Sequence, residues 1–134
     1  MRMILLAAAV TTLAACQTAS GPPEQRSAKA QETYDRLLAG KIAGRPQNCL
    51  PRLRANDMQV IDDQTIAYRD GSTTYINRPL GGCNRLGSGS YALVTRSSGS
   101  QLCRGDIATV ADLSSGTTVG SCSFGDFVPY RAAN

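Results

Sequence analysis

Asp70-Gly71 lies between two runs rich in β-branched and aromatic residues, Thr65-Ile66-Ala67-Tyr68-Arg69 and Ser72-Thr73-Thr74-Tyr75-Ile76. Asp-Gly in that setting is a strong signal for a two-residue hairpin, because such turns need left-handed backbone that Asp and Gly tolerate. The chain around it is therefore antiparallel β. Closing the turn at Asp70-Gly71 sets Ile66 opposite Tyr75 and Tyr68 opposite Thr73, so that these four side chains share one face. Other runs repeat the pattern. Met58 to Ile61 should form a strand turning at Asp62-Asp63. Tyr91 to Thr95 and Gln101-Leu102 flank Ser97-Ser98-Gly99-Ser100, and Ile107 to Ala111 and Thr117 to Ser121 flank Leu113-Ser114-Ser115-Gly116. Six or seven short strands at this spacing predict a mainly β domain over 49–131, a small antiparallel barrel or sandwich.

One helix is expected ahead of it, over 23–40. Pro23 fits the first turn, where a missing N–H is harmless, and Gly40 stands where a left-handed cap is wanted. Ala30, Tyr34, Leu37 and Leu38 recur at helical spacing. Glu32 and Arg36 form a favourable i,i+4 pair.

The N-terminus reads as a targeting segment rather than as structure. Arg2 supplies a positive start, Met3 to Leu13 an apolar run, and Ala14-Ala15 the small residues before a cleavage point. The run is too short to span a bilayer, which takes about 20 residues. A cysteine follows the small pair directly. Leu13-Ala14-Ala15-Cys16 resembles the lipobox of bacterial lipoproteins, which implies a signal peptide over 1–15, lipidation of Cys16 and a tether over 16–22. Gln17 after the cysteine implies the outer membrane, on its periplasmic face. Several acyl chains anchor stably where one does not. Of 134 residues, cleavage after residue 15 leaves 119, enough for one domain.

With Cys16 acylated, Cys49, Cys83, Cys103 and Cys122 remain. An even set in an exported chain implies two disulfides. Three connectivities are open. Pairing of the last two strands would bring Cys103 and Cys122 to one end of the sheet, which favours Cys103–Cys122 and leaves Cys49–Cys83. A metal site is the weaker reading, since the spacing is wide and the chain has no histidine and no C-x-x-C. No cofactor is expected.

The chain carries fourteen basic and ten acidic residues, a net charge of +4. The arginines are spread along it, so no nucleic-acid patch stands out. The absence of histidine removes Ser-His-Asp and Cys-His catalysis and histidine bases. A Ser–Lys dyad would need Lys29 or Lys41, both in or beside the helix. Among carboxylates, Asp62-Asp63 fits a turn. Asp106 and Asp126 each follow a glycine and fit turns as well. A non-catalytic role is expected.

Two segments are distinctive: Leu102-Cys103-Arg104-Gly105-Asp106, and Cys122-Ser123-Phe124-Gly125-Asp126-Phe127-Val128-Pro129-Tyr130. The aromatics of the second either close the core or, with Arg104 and Arg131, form an exposed contact surface in which Phe127 and Tyr130 are partner-binding candidates. From Cys49 to Tyr130 the chain resembles an uncharacterised family of small exported proteobacterial proteins, through Val60-Ile61-Asp62-Asp63-Gln64-Thr65, Tyr75-Ile76-Asn77-Arg78 before Cys83, and the two segments above. That resemblance implies fold and compartment, not activity. Gly87-Ser88-Gly89-Ser90-Tyr91, followed by Arg104 to Val110, is similar to the loop that lipid-anchored lysozyme inhibitors insert between catalytic carboxylates. This makes Ser88 and Ser90 further partner-binding candidates. Such inhibitors carry Lys or Arg before the tyrosine, where this chain has Ser90. The expected role is binding or support of an envelope protein or glycan at the membrane, with inhibition of a lysozyme-like enzyme as the alternative.

Overall fold

The computed structural model describes residues 26–96 and 99–134. The leader, Cys16, the tether, Pro23 and Ser97-Ser98 lie outside them. Strand pairing is antiparallel throughout and builds three sheets. In sequence order the strands are β1 Lys41–Ala43, β2 Cys49–Pro51, β3 Met58–Asp62, β4 Thr65–Asp70, β5 Thr73–Asn77, β6 Tyr91–Thr95, β7 Gln101–Cys103, β8 Ile107–Asp112, β9 Thr118–Ser123 and β10 Phe127–Ala132. The largest sheet runs β1-β10-β5-β4-β3, a second pairs β2 with β7, and a third runs β6-β8-β9.

The mainly β class and the two disulfides stand, but among the described residues ten strands form instead of six or seven, and their sheets do not close into a barrel. The additional strands are β1, β2 and β10. Because β1 pairs with β10, the large sheet begins at Lys41 rather than at Cys49.

The β4–β5 hairpin forms with a different register. Asp70 pairs with Thr73, Tyr68 with Tyr75 and Ile66 with Asn77. The turn is centred on Gly71-Ser72, where Gly71 takes φ +58°, and Asp70 stays in the strand. The shift is by two positions, so each side chain keeps its expected face although its partner changes.

Gln101-Leu102 does not fold back on Tyr91–Thr95. β6 pairs with β8, and β7 leaves that sheet to pair with β2. This exchange overturns the favoured disulfide pairing. Cys49 and Cys103 face each other in the β2–β7 ladder and are bridged, with Cα atoms 4.0 Å apart. Cys122 lies within β9 and is bridged to Cys83, in the loop after β5.

The helix, α1, spans Ala28–Leu38 rather than starting at Pro23. Ser27 caps it, its hydroxyl accepting from the Ala30 N–H at 3.2 Å, so the start is set by a side-chain cap. Gly40 follows with φ +69°. Ala30, Tyr34, Leu37 and Leu38 pack on Ile61, Ala67, Ile76 and Tyr130, covering one face of the large sheet. Its other face, through Ile66, Tyr68, Tyr75 and Phe127, joins Leu50, Leu86, Leu102, Val110, Phe124 and the Cys83–Cys122 bridge in the main core. The large sheet is thus buried on both faces, which explains why β4 reads Thr-Ile-Ala-Tyr without polar alternation.

Candidate functional site

The two cysteine segments clasp each other. Gly105 N–H donates to the Phe124 carbonyl (2.9 Å), and Phe124 N–H donates to the Asp106 carbonyl (3.1 Å). Arg104 reaches Asp126 at 2.7 Å. Asp106 also closes its own turn, accepting from Cys103 N–H at 2.8 Å, and Gly105 supplies the positive φ of +87°. Both aspartates thus hold the clasp.

The proposed aromatic surface does not assemble. Phe127 and Phe124 are buried in the main core with ring centroids 6.0 Å apart, so neither presents a contact face. Tyr130 is on the opposite face of β10, under α1. A hydrogen bond with Tyr34, then burial, raises its pKa above the usual tyrosine range. Arg131 is exposed at the β1 edge, opposite Ile42. Arg104 is half-exposed and already paired.

Asn77 is a buried residue whose role the sequence did not signal. Its side chain donates to the Gly125 carbonyl (2.8 Å) and accepts from Gly125 N–H (3.2 Å), satisfying the backbone where the clasp turns into β10. Gly125 lies against the Arg78 carbonyl with no room for a Cβ.

The segment from Cys83 to Ser90 is held from below by Asp63. The Asp63 carbonyl accepts from Cys83 N–H (2.7 Å). Its carboxylate accepts from Arg85 N–H at 3.0 Å and from Gly87 N–H at 2.7 Å. Gly87 presses on the backbone of Asp62-Asp63, at 3.0 Å from where a Cβ would stand. Leu86 is buried and anchors a short 3-10 turn, Leu86–Ser88. Ser88 and Ser90 are exposed on this pinned loop. Arg85 is exposed beside them with φ +73°, the one non-glycine residue with positive φ among the described residues. That backbone costs an L-residue about 1–2 kcal/mol. The ion pairs found among the described residues use Arg26, Arg36, Arg54, Arg69 and Arg104, not Arg85.

Two hollows lie among the described residues away from this loop. One, of about 430 Å³, lies between the end of α1 and the β4–β5 hairpin, beside Arg36, Lys41 and Arg69. Its cations are engaged: Lys41 with Thr74 (2.7 Å), Arg69 with Asp57 (3.0 Å) and Arg36 loosely with Glu32 (4.0 Å). The other, of about 310 Å³, opens where the three sheets meet, against Met58, Tyr68, Leu93 and Leu102. Tyr68 is 1% exposed, and its hydroxyl has no hydrogen-bond partner among the described residues. Burial pushes its pKa well above the usual tyrosine range. Leaving a buried hydroxyl unmatched costs about 1–3 kcal/mol. No group of three or more metal-ligating side chains occurs among the described residues.

No family model, curated protein or solved structure matches this chain.

Proposed function

We propose that the protein is a non-catalytic binding protein, held at the periplasmic face of the outer membrane by a lipid on Cys16, that contacts an anionic envelope glycan through the Cys83–Ser90 loop. The observation that carries this reading is Arg85. It is exposed, outside the ion pairs among the described residues, and held in left-handed backbone by the Asp63 carboxylate, which accepts from the Arg85 N–H and from the Gly87 N–H two residues on. Backbone strain of this kind persists only where surrounding structure over-determines it, and it concentrates at binding and catalytic sites. A loop pinned before binding loses little entropy on contact. The positive net charge of the chain adds attraction to an acidic polymer. The carboxylates considered for catalysis are committed elsewhere: Asp63 to the loop, Asp106 and Asp126 to the clasp.

Cosedimentation of the acylated protein with purified peptidoglycan sacculi tests this. The native protein should pellet with the sacculi, less so at high salt. Arg85→Gly, which relieves the backbone strain, should stay in solution although it unfolds at higher denaturant. Equal pelleting of the two proteins, or none of the native one, contradicts the proposal.

Exposed Ser88 and Ser90 on the same loop support a second reading, inhibition of a glycan-cleaving enzyme whose catalytic carboxylates would receive Arg85. Under that reading the protein slows a lysozyme in a turbidity assay, and bulky replacements at Ser88 or Ser90 abolish the effect.

A further inference from the structure

The two disulfides occupy different surroundings. Cys83 and Cys122 are buried in the main core. Cys49 and Cys103 lie outside it, facing each other across the β2–β7 ladder, and each is partly exposed. The next pair along that ladder, Leu50 and Leu102, is buried in the main core. Side chains alternate between the two faces of a strand, so the Cys49–Cys103 bridge stands on the face turned away from that core. Exchange requires that a thiolate reach a sulfur of the disulfide. Of the two bridges, Cys49–Cys103 is the accessible one.

The strands that carry this bridge are also held without it. Beside the bridge, Arg104 N–H donates to the Asn48 carbonyl (2.7 Å), and at the other end of the ladder Arg52 N–H donates to the Ser100 carbonyl (3.0 Å). Leu50 and Leu102 fix the middle of the ladder in the core. The clasp fixes the chain around Cys103: Cys103 N–H donates to Asp106 (2.8 Å), and Gly105 N–H donates to the Phe124 carbonyl (2.9 Å). Opening the bridge therefore leaves the two sulfurs facing each other, placed to close again.

We propose that Cys49–Cys103 is a reversible thiol–disulfide exchange site, which takes two electrons from a dithiol reductant while Cys83–Cys122 stays closed. One sulfur of the dithiol, as the thiolate, bonds to one sulfur of the bridge, which breaks the S–S bond and releases the other cysteine as a thiolate. The second sulfur of the dithiol, once deprotonated, attacks the mixed disulfide and releases the remaining cysteine. The two protons of the dithiol end on Cys49 and Cys103, and the dithiol leaves as a disulfide. The Cys83–Ser90 loop begins at the bridge that stays closed, so the exchange is separate from the glycan contact.

Dithiothreitol is the probe, added at increasing concentration to the full acylated protein in phosphatidylcholine nanodiscs, with free thiols trapped by N-ethylmaleimide and located by peptide mapping. Cys49 and Cys103 should be trapped at concentrations about tenfold or more below those that open Cys83–Cys122. The near-ultraviolet circular dichroism of the singly opened protein should keep its folded signal. After removal of the reductant, oxidised glutathione should restore Cys49–Cys103 with no other pairing. Opening of both bridges together, or of Cys83–Cys122 first, overturns the proposal. Loss of the folded signal when Cys49–Cys103 alone is open also overturns it, since the bridge would then serve the fold, as does closure into any other pairing. None of these readouts depends on the glycan contact.

Discussion

A few side chains fix the backbone where local propensity alone would leave it undecided. Asn77 is the clearest. It is fully buried and spends both ends of its amide on Gly125. Asn77→Leu would strand the Gly125 N–H and carbonyl, and stability measured by urea unfolding should fall by about 2–4 kcal/mol. Gly125→Ala should be as damaging, since its Cβ would collide with the Arg78 carbonyl, which is backbone and cannot turn aside. Arg85→Gly should act in the opposite sense, raising stability by about 1 kcal/mol as the left-handed strain disappears. Arg26 ties the start of the described chain to the sheet: it meets Asp62 at 2.6 Å and Thr65 at 2.9 Å, and lies over the Tyr34 ring at 4.3 Å. None of these roles was legible in the sequence. An asparagine after a strand, a glycine before an aspartate and an arginine in a glycine-rich loop are common, and their partners lie 22 to 48 residues away.

Elements made by local pattern were readable, and elements made by distant partners were not. The stripe of Ala30, Tyr34, Leu37 and Leu38 predicted the buried face of α1, because helical period is written in consecutive residues. β3, β4, β5, β6, β8 and β9 were readable for the same reason. β1 and β2 are three residues each, and β10 contains Pro129, which cannot donate to a ladder. Their existence depends on the partners they find. The disulfides followed from that. Once β7 joins β2 instead of β6, Cys49 meets Cys103, and the two bridges interlock along the chain with separations of 54 and 39 residues. Each closes a loop worth about 4 kcal/mol of unfolded-chain entropy. Peptide mapping of the unreduced protein should find only these two bridges, and Cys83→Ser with Cys122→Ser should lower stability by about that amount. The β8–β9 turn carries a pH dependence. Asp112 accepts from the Ser114 hydroxyl and from the N–H groups of Ser115 and Ser114, which lower its pKa from the usual 3.8. The native state therefore holds this proton less tightly than the unfolded chain. The turn's contribution is complete above the usual value and is lost as pH falls through the lowered one. Asp112→Asn should lower stability slightly at neutral pH and flatten the acid-unfolding profile below about pH 4, since it lacks the charge these bonds favour.

At the scale of the whole molecule, two disulfides and a sheet buried on both faces make a rigid support for one strained, cation-bearing loop. The sequence drew attention to Ser88 and Ser90 but not to Arg85, because nothing in the chain before folding marks it for left-handed backbone. It drew attention to Phe127 and Tyr130 as a surface, and the fold instead places them on opposite faces of β10, one in each core. The cavity at the junction of the sheets was not legible at all, since it is made by residues from four strands and a turn that meet only in the folded chain. The central claim is that the Cys83–Ser90 loop is the contact surface. The most direct test places a photocrosslinking residue at Ser88 in intact cells, with Leu53, 87% exposed on the 3-10 turn, as the comparison position. Crosslinks from Ser88 to envelope glycan that disappear on Arg85→Gly, with none from Leu53, are the predicted result. Equal yields from the two positions, or crosslinks at Ser88 that survive Arg85→Gly, would contradict it.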